Sequence, residues 1–383
     1  MTPAVYTVAM NTTTRSYAGL AVAAALACAV IQASLVASFV EPAGSSGAPD
    51  PETLVNEILD DYHPCAGSPI PAVCRCALMF PPVTYDTDVE FSIAEPGSNS
   101  YSLETGRTLM NLVRAIVVAA EPGPGVKLYA NPPATPDAFR KLETVVARNA
   151  AFDHLELVKV MMLPRQIGGR ADRIFGAIWL NGDTKELVVI FRGTQTPFEW
   201  YLDLQGGSER KISNSFGVVD GFGAAYQFCQ RDLLDTIAAH SPTRVVIGGH
   251  SLGGAVAGIA AFDLYQRSRS SGSPYEVYAM TFGQPRIFTP ASADQADAAI
   301  ASNGLVLWRV VNIPDPCPPG PPAAVTGDGV KFKHTAWVAF YDDDVSALPG
   351  KDAAWNHHFY YDGYFDPAST IPMLHTAAEA DDS

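Results

Sequence analysis

The sequence predicts an α/β fold, with a central, mostly parallel sheet flanked by helices in a single domain spanning 101–370. Two observations carry that reading. From residue 244 onward, short apolar runs alternate with stretches of helical periodicity, the signature of parallel strands joined by helical crossovers. The runs RVVIGG and LVVIF are continuously apolar, as strands are when both faces of a sheet are covered. The composition allows this: 48% of the 383 residues are hydrophobic and only 17% are charged, enough apolar material for a large core.

Taken in order, residues 17–40 are almost entirely Ala, Val, Leu and Ile, with Arg15 the only charge ahead of them. The length suits either a secretory signal or a signal anchor, and Ala27-Cys28-Ala29 offers a small-x-small cleavage site. Cleavage is the favoured reading. A secreted or extracytoplasmic protein is therefore expected, with a membrane tether through 17–40 as the alternative. Residues 41–52 read as a flexible linker, and 53–100 as an irregular Pro-rich extension with a short helical candidate at 52–62. Helical spacing marks 103–120 and 136–152. Apolar runs at 174–180 and 187–191 flank Asn181-Gly182, a hairpin turn signal. Residues 221–240 form an amphipathic helix with Phe222, Ala225, Tyr226, Cys229, Leu233 and Ile237 on one face. Then follow strand 244–247, helix 252–267, strand 276–282, helix 291–302 and strand 305–312. An acidic tail occupies 371–383.

Charge excludes whole classes of partner. Lys and Arg number 25 against 40 Asp and Glu, a formal net charge of −15, and nowhere do the basic residues form a run. Phosphate backbones would be repelled, so nucleic acid is not a partner, nor is a polybasic membrane patch present. Cys65, Cys74, Cys76, Cys229 and Cys317 are available for disulfides in an oxidising compartment. His63 with Cys65, Cys74 and Cys76 is also a possible metal set. Its His-x-Cys and Cys-x-Cys spacings are tighter than ordinary zinc pairs and prolines fill the loop, so disulfides or plain thiols are the better reading.

The chemistry concentrates at GGHSLGG, where Gly249, Ser251 and Gly253 make G-x-S-x-G. The pattern has meaning only between a buried strand and a helix. There the serine occupies a strained turn that lifts its hydroxyl above the sheet edge. Small residues two before and two after are required because the two backbones pass close together. Val245-Val246-Ile247 before it and Ala255-Val256-Ala257 after it supply that context, which makes Ser251 a nucleophile candidate. The amide of Leu252, at the start of the helix, is a candidate oxyanion donor. His250 is adjacent, but such a turn sends neighbouring side chains apart, so it reads as a packed residue rather than a base.

With these residues in place the sequence resembles the class 3 lipase family, a branch of the α/β-hydrolase fold that includes secreted fungal lipases. The resemblance spans roughly 100–365 and rests on an ordered set: LVVIFRGT at 187–194, VVDGF at 218–222, VVIGGHSLGGA at 245–255, TFGQPR at 281–286 and RVVNIPDPCP at 309–318. It implies ester hydrolysis by a Ser-Asp-His triad without metal or organic cofactor. Neutral lipids at a lipid–water interface are the leading substrate. Ser251 matches the nucleophile and Asp315, just past its strand, the acid. Asp342, Asp343 and Asp344 read more simply as a solvated loop, and Asp328 has no strand behind it. The triad histidine falls in NHHFYYDG at 356–363, where Gly363 aligns to favour His358 over His357. Tyr360 and Tyr361 follow the two histidines at the spacing the family often shows. His334 matches a family histidine that lies near the site and is usually non-catalytic. Thr194 matches the second oxyanion donor, and Phe198, Trp200, Tyr201 and Leu202 fall where the family carries a lid, although an ordinary amphipathic helix also fits them. Other readings keep the machinery and change the substrate, to phospholipid, mono- or diacylglycerol, or feruloyl-type ester. A non-catalytic hydrolase-like binding protein and a membrane-tethered scaffold complete the alternatives.

Overall fold

A computed structural model describes residues 83–120, 135–163, 173–194, 208–213, 215–271, 274–312, 315, 317–318, 320, 332–341, 361–365 and 373–375. The helices are α1 (Leu103–Ala120), α2 (Thr135–Val146), α3 (Asp220–His240), α4 (Leu252–Ser270) and α5 (Pro290–Ala301). The strands are β1 (Leu155–Leu163), β2 (Arg173–Asn181), β3 (Glu186–Phe191), β4 (Glu209–Ile212), β5 (Phe216–Val219), β6 (Arg244–His250), β7 (Glu276–Phe282), β8 (Val306–Asn312), β9 (Trp337–Tyr341) and β10 (Met373–His375).

Among the described residues the main sheet runs β1-β2-β3-β6-β7-β8-β9-β10. The steps from β3 to β9 are parallel, whereas β1–β2, β2–β3 and β9–β10 are antiparallel. The parallel centre forms because a helix crosses over between β6 and β7 and between β7 and β8. Strands β3, β6 and β8 are buried at every residue. Their side chains nevertheless alternate between two cores, as the period of two dictates. Leu187, Val189, Phe191, Val245 and Ile247 pack with Phe222, Tyr226 and Leu233 of α3 and Val256, Ile259 and Phe262 of α4. Val188, Ile190 and Val246 pack on the opposite side with Leu109, Leu112, Val113 and Ile116 of α1.

Differences from the sequence reading have local physical causes. Asn181-Gly182 does open the β2–β3 hairpin, but not as a two-residue turn. Asn181 Oδ1 accepts from the amides of Asp183 (3.1 Å) and Thr184 (3.3 Å), and the left-handed residue is Lys185 at φ 57° rather than the glycine. The helix expected over 136–152 stops at Val146, and Asn149 then caps a separate short turn, Ala150–Phe152, by accepting from the Ala151 amide at 3.0 Å.

Residues 83–101, placed in an irregular extension by sequence, have no regular secondary structure yet are packed on the domain. Thr105, Thr108 and Asn111 recur every three residues along one side of α1 and satisfy the backbone of this strap. Thr105 Oγ1 accepts from Ala94 N at 2.8 Å, Thr108 Oγ1 from Ser92 N at 2.9 Å and Asn111 Oδ1 from Asp86 N at 3.0 Å. At the other end, β10 lies inside the stretch assigned to an acidic tail and pairs with β9.

No helix among the described residues is long and apolar enough to cross a membrane. Residues 17–40, the helical candidate at 52–62 and the His63–Cys76 set lie outside the described residues. Of the cysteines considered for disulfides, Cys229 is a free thiol. Cys229 is buried in the core against the sheet, and burial pushes its thiol well above the usual range.

Candidate active site

The site is assembled at the carboxyl end of the parallel strands. Strand β6 runs straight into α4 through Ser251, which adopts φ 57° and ψ −125°, a region that residues bearing a Cβ rarely occupy. Strain of about 1–3 kcal/mol per such residue persists only where neighbours over-determine it. Here the glycines do so. A Cβ on Gly249 would collide with the backbone of Gly253, and one on Gly253 with the carbonyl oxygens of Arg192 and Phe191. Strand, turn and helix thus touch backbone to backbone, and the Ser251 amide is fixed to Phe282 O of β7 at 2.9 Å. The first turn of α4 closes with Ala255 N donating to Ser251 O at 3.0 Å. Helix geometry leaves the Leu252 N–H without an intrahelical acceptor, beside the serine.

The loop after β3 lies against this turn. A Cβ placed on Gly193 would fall 3.2 Å from Ser251 Cβ and 2.9 Å from His250 Nδ1. Its next residue, Thr194, is buried. Arg192 holds the loop down from beneath. Its guanidinium is fully buried, donates to Ile174 O and Gly193 O at 2.6 Å each, and lies over the Phe175 ring.

Asp315 follows β8 and is buried. Its amide donates to Asn312 O at 2.9 Å, which turns the chain. Its carboxylate accepts from the Cys317 amide at 2.8 Å through Oδ1 and from the Tyr364 hydroxyl at 2.6 Å through Oδ2. Burial, then the Asp315 charge, push the Tyr364 phenol well above its ordinary range, so it stays protonated and donates. The same hydroxyl lies 3.5 Å from His250 Nε2, and Tyr361 packs edge-on against the His250 ring at 4.8 Å. A continuous run of contacts, Ser251 to His250 to Tyr364 to Asp315, therefore joins the turn to the carboxylate.

His250 is a buried packing residue, in line with the sequence reading. His334 is also buried, and its Nε2 lies 2.9 Å from Pro318 O in the Asp315 loop. Tyr364 carries no signal of its own in the sequence: the tyrosines at the spacing the family shows are Tyr360 and Tyr361, and Tyr364 lies six residues beyond His358. Arg192 was missed too, because a lone arginine at a strand end has no pattern to mark it. His357, His358, Phe198, Trp200, Tyr201, Leu202, Asp328 and the run Asp342, Asp343 and Asp344 lie outside the described residues. Among the described residues no cluster of three metal-ligating side chains occurs.

A mostly parallel sheet whose nucleophile-type turn leads from strand to helix is the α/β-hydrolase arrangement. Residues 188–325 match the family model Lipase (class 3). A lipase of Rhizomucor miehei is 33% identical over 156 residues, 39% of this chain and 41% of that protein. The secreted mono- and diacylglycerol lipase 1 of Fusarium solani is 32% identical, covering 40% of this chain and 43% of its own length. The chloroplastic/mitochondrial phospholipase A1 EG1 of Oryza sativa subsp. indica is 27% identical over 34% of this chain and 35% of its own. The chain thus spans about two fifths of the length of the relatives it matches. Over residues 188–325, this chain is therefore similar to the class 3 lipase family.

Proposed function

We propose that the protein is a secreted carboxylic ester hydrolase acting on lipid esters, triacylglycerol foremost, through a Ser251–His358–Asp315 triad and an acyl-enzyme. The observation that carries this reading is the strained Ser251 turn, packed against the Gly193–Thr194 loop and connected through buried side chains to Asp315.

In this mechanism His358 takes the proton from Ser251 Oγ as the oxygen attacks the ester carbonyl. The amides of Thr194 and Leu252 stabilise the oxyanion, and neither needs to reorganise because Arg192 and the helix start hold them in place. His358 returns the proton to the departing alcohol, and water then releases the acyl group by the reverse sequence. Asp315 keeps its charge throughout and orients the imidazole, while Tyr364 and the Cys317 amide orient Asp315 in turn. His358 is favoured over His357. Two described observations support a histidine from this pair: the short turn Tyr361–Tyr364 follows it closely, and that turn brings the chain back to Asp315. Activity should fall in acid as the imidazole becomes protonated.

Phe198, Trp200, Tyr201 and Leu202 are proposed to form a lid over the acyl site. Replacing Phe198 and Trp200 by polar residues should then depress turnover of emulsions more than that of soluble short-chain esters. Equal turnover of both by the variant and the parent would remove the lid from the account.

The deciding experiment is a substrate panel of tri-, di- and monoglycerides, phosphatidylcholine and methyl ferulate, with Ser251→Ala as control. Fastest release from triglyceride, abolished by the substitution, is the expected result. The names of the Fusarium and rice relatives make mono- or diacylglycerol and phospholipid the competing substrates. Fastest release from either would move the assignment there while leaving the triad in place.

A further inference from the structure

We infer that His334 is a positioning residue for the triad acid, holding through the Pro318 carbonyl the loop that carries Asp315. The inference rests on the hydrolase reading of Ser251 and Asp315 and extends it to a side chain that touches neither.

The geometry begins with the direction of one hydrogen bond. His334 Nε2 lies 2.9 Å from Pro318 O, and a carbonyl can only accept, so this nitrogen carries the proton and donates. The ring is buried just ahead of β9. Burial, with the charges of Arg309 on β8 and Arg286 in the loop after β7, holds the imidazole well below its ordinary range and hence neutral.

The mount of this ring is itself constrained. Thr335 Oγ1 and the Ala336 amide, the latter at 3.4 Å, both donate to Asp297 Oδ1 on α5. Ala336 is held at φ 100°, a conformation costly for a residue with a Cβ and kept only where the surroundings impose it. Helix α5 therefore fixes the backbone on which His334 is carried.

At the other end of the bond the described residues 315, 317, 318 and 320 lie outside helices and strands. They are tied by Asp315 N to Asn312 O (2.9 Å), Cys317 N to Asp315 Oδ1 (2.8 Å), Gly320 N to Cys317 O (2.9 Å) and Arg286 N to Gly320 O (2.6 Å). Pro318 falls inside this chain of bonds, one residue after the amide that the carboxylate accepts from. Release of its carbonyl would loosen the Cys317 amide and so the orientation of Asp315. Displacement of a catalytic group by about 1 Å is enough to lower turnover roughly a hundredfold.

The test compares His334→Leu, which removes the donor, with His334→Gln, whose amide nitrogen reaches the position of Nε2. Each is measured against the parent on a soluble short-chain ester, alongside labelling of Ser251 by a fluorophosphonate. The inference requires kcat of His334→Leu to fall about tenfold or more with KM within about twofold, and His334→Gln to recover to within about threefold of the parent. Unchanged kcat in His334→Leu, or a His334→Gln variant as impaired as His334→Leu, overturns it, because a packing role would not be rescued by the amide. Should His334→Leu fail to fold, Thr335→Val is the second variant: a kcat reduction of about threefold is expected, and parental kcat overturns the inference. Failure of the parent itself to label at Ser251 would instead overturn the hydrolase reading.

Discussion

The two halves of the site are built on different principles. The half around Ser251 consists of residues 191–194 and 249–255, where backbone meets backbone and a methyl added at Gly249 or Gly253 finds no room. The half around Asp315, comprising Asn312, Asp315, Cys317, Pro318 and Gly320, is held from three distant segments, by the Arg286 amide, the His334 ring and the Tyr364 hydroxyl. One half is set by steric necessity over a few neighbouring residues, the other by hydrogen bonds spanning as many as 49 positions. The comparison teaches that positional accuracy can come from crowding or from tethering. Crowding fails abruptly when disturbed, and tethering gradually.

The largest effect expected from breaking this contrast is on chemistry alone. Ser251→Ala should lower kcat by about 10⁶-fold while the circular dichroism spectrum and urea midpoint stay as in the parent. Next comes the fold of the crowded half: Gly253→Ala should destabilise by about 3 kcal/mol or more, read from the urea midpoint, since the clash is with main-chain oxygens that cannot rotate away. The tethered half should yield more gently. Tyr364→Phe removes one donor to a buried carboxylate, and about 1–3 kcal/mol of stability should go with it.

A pH effect follows from His334. Its folded-state imidazole titrates below the unfolded one, so between the two values the unfolded chain binds a proton that the folded chain does not. Stability from this group is complete above the ordinary histidine range, about pH 6.5, and is lost as the pH falls below it. Urea midpoints taken between pH 7.5 and pH 5 should decline, and His334→Gln should flatten that decline. The smallest effect is expected at Ala336. Its replacement by glycine relieves a positive φ and should raise stability by about 1 kcal/mol, read from the urea midpoint.

The same contrast governs how much was legible beforehand. Strands β3, β6, β7 and β8, helices α1, α3 and α4, and the Ser251 turn are written in local patterns: apolar runs, helical periodicity, and glycines where backbones cross. Strand β1 has a mixed burial pattern with both outward and inward residues, so no clean period announced it. The short β4–β5 hairpin and β10 span only four, four and three residues, too few for a period to register. The strap at 83–101 is held by Thr105, Thr108 and Asn111, and polar residues inside an apolar helix give no hint of what they bond. Asp315 follows a recognisable strand, but Tyr364 and His334 bond across the fold, and nothing in their neighbours names a partner.

The strained serine after β6 is proposed to be the reactive group. Incubation of the parent chain with a fluorophosphonate, followed by peptide mass spectrometry, tests it directly. One adduct per chain is expected, on Ser251, absent in Ser251→Ala. A folded chain that takes up no label, or carries it on another residue, contradicts the account.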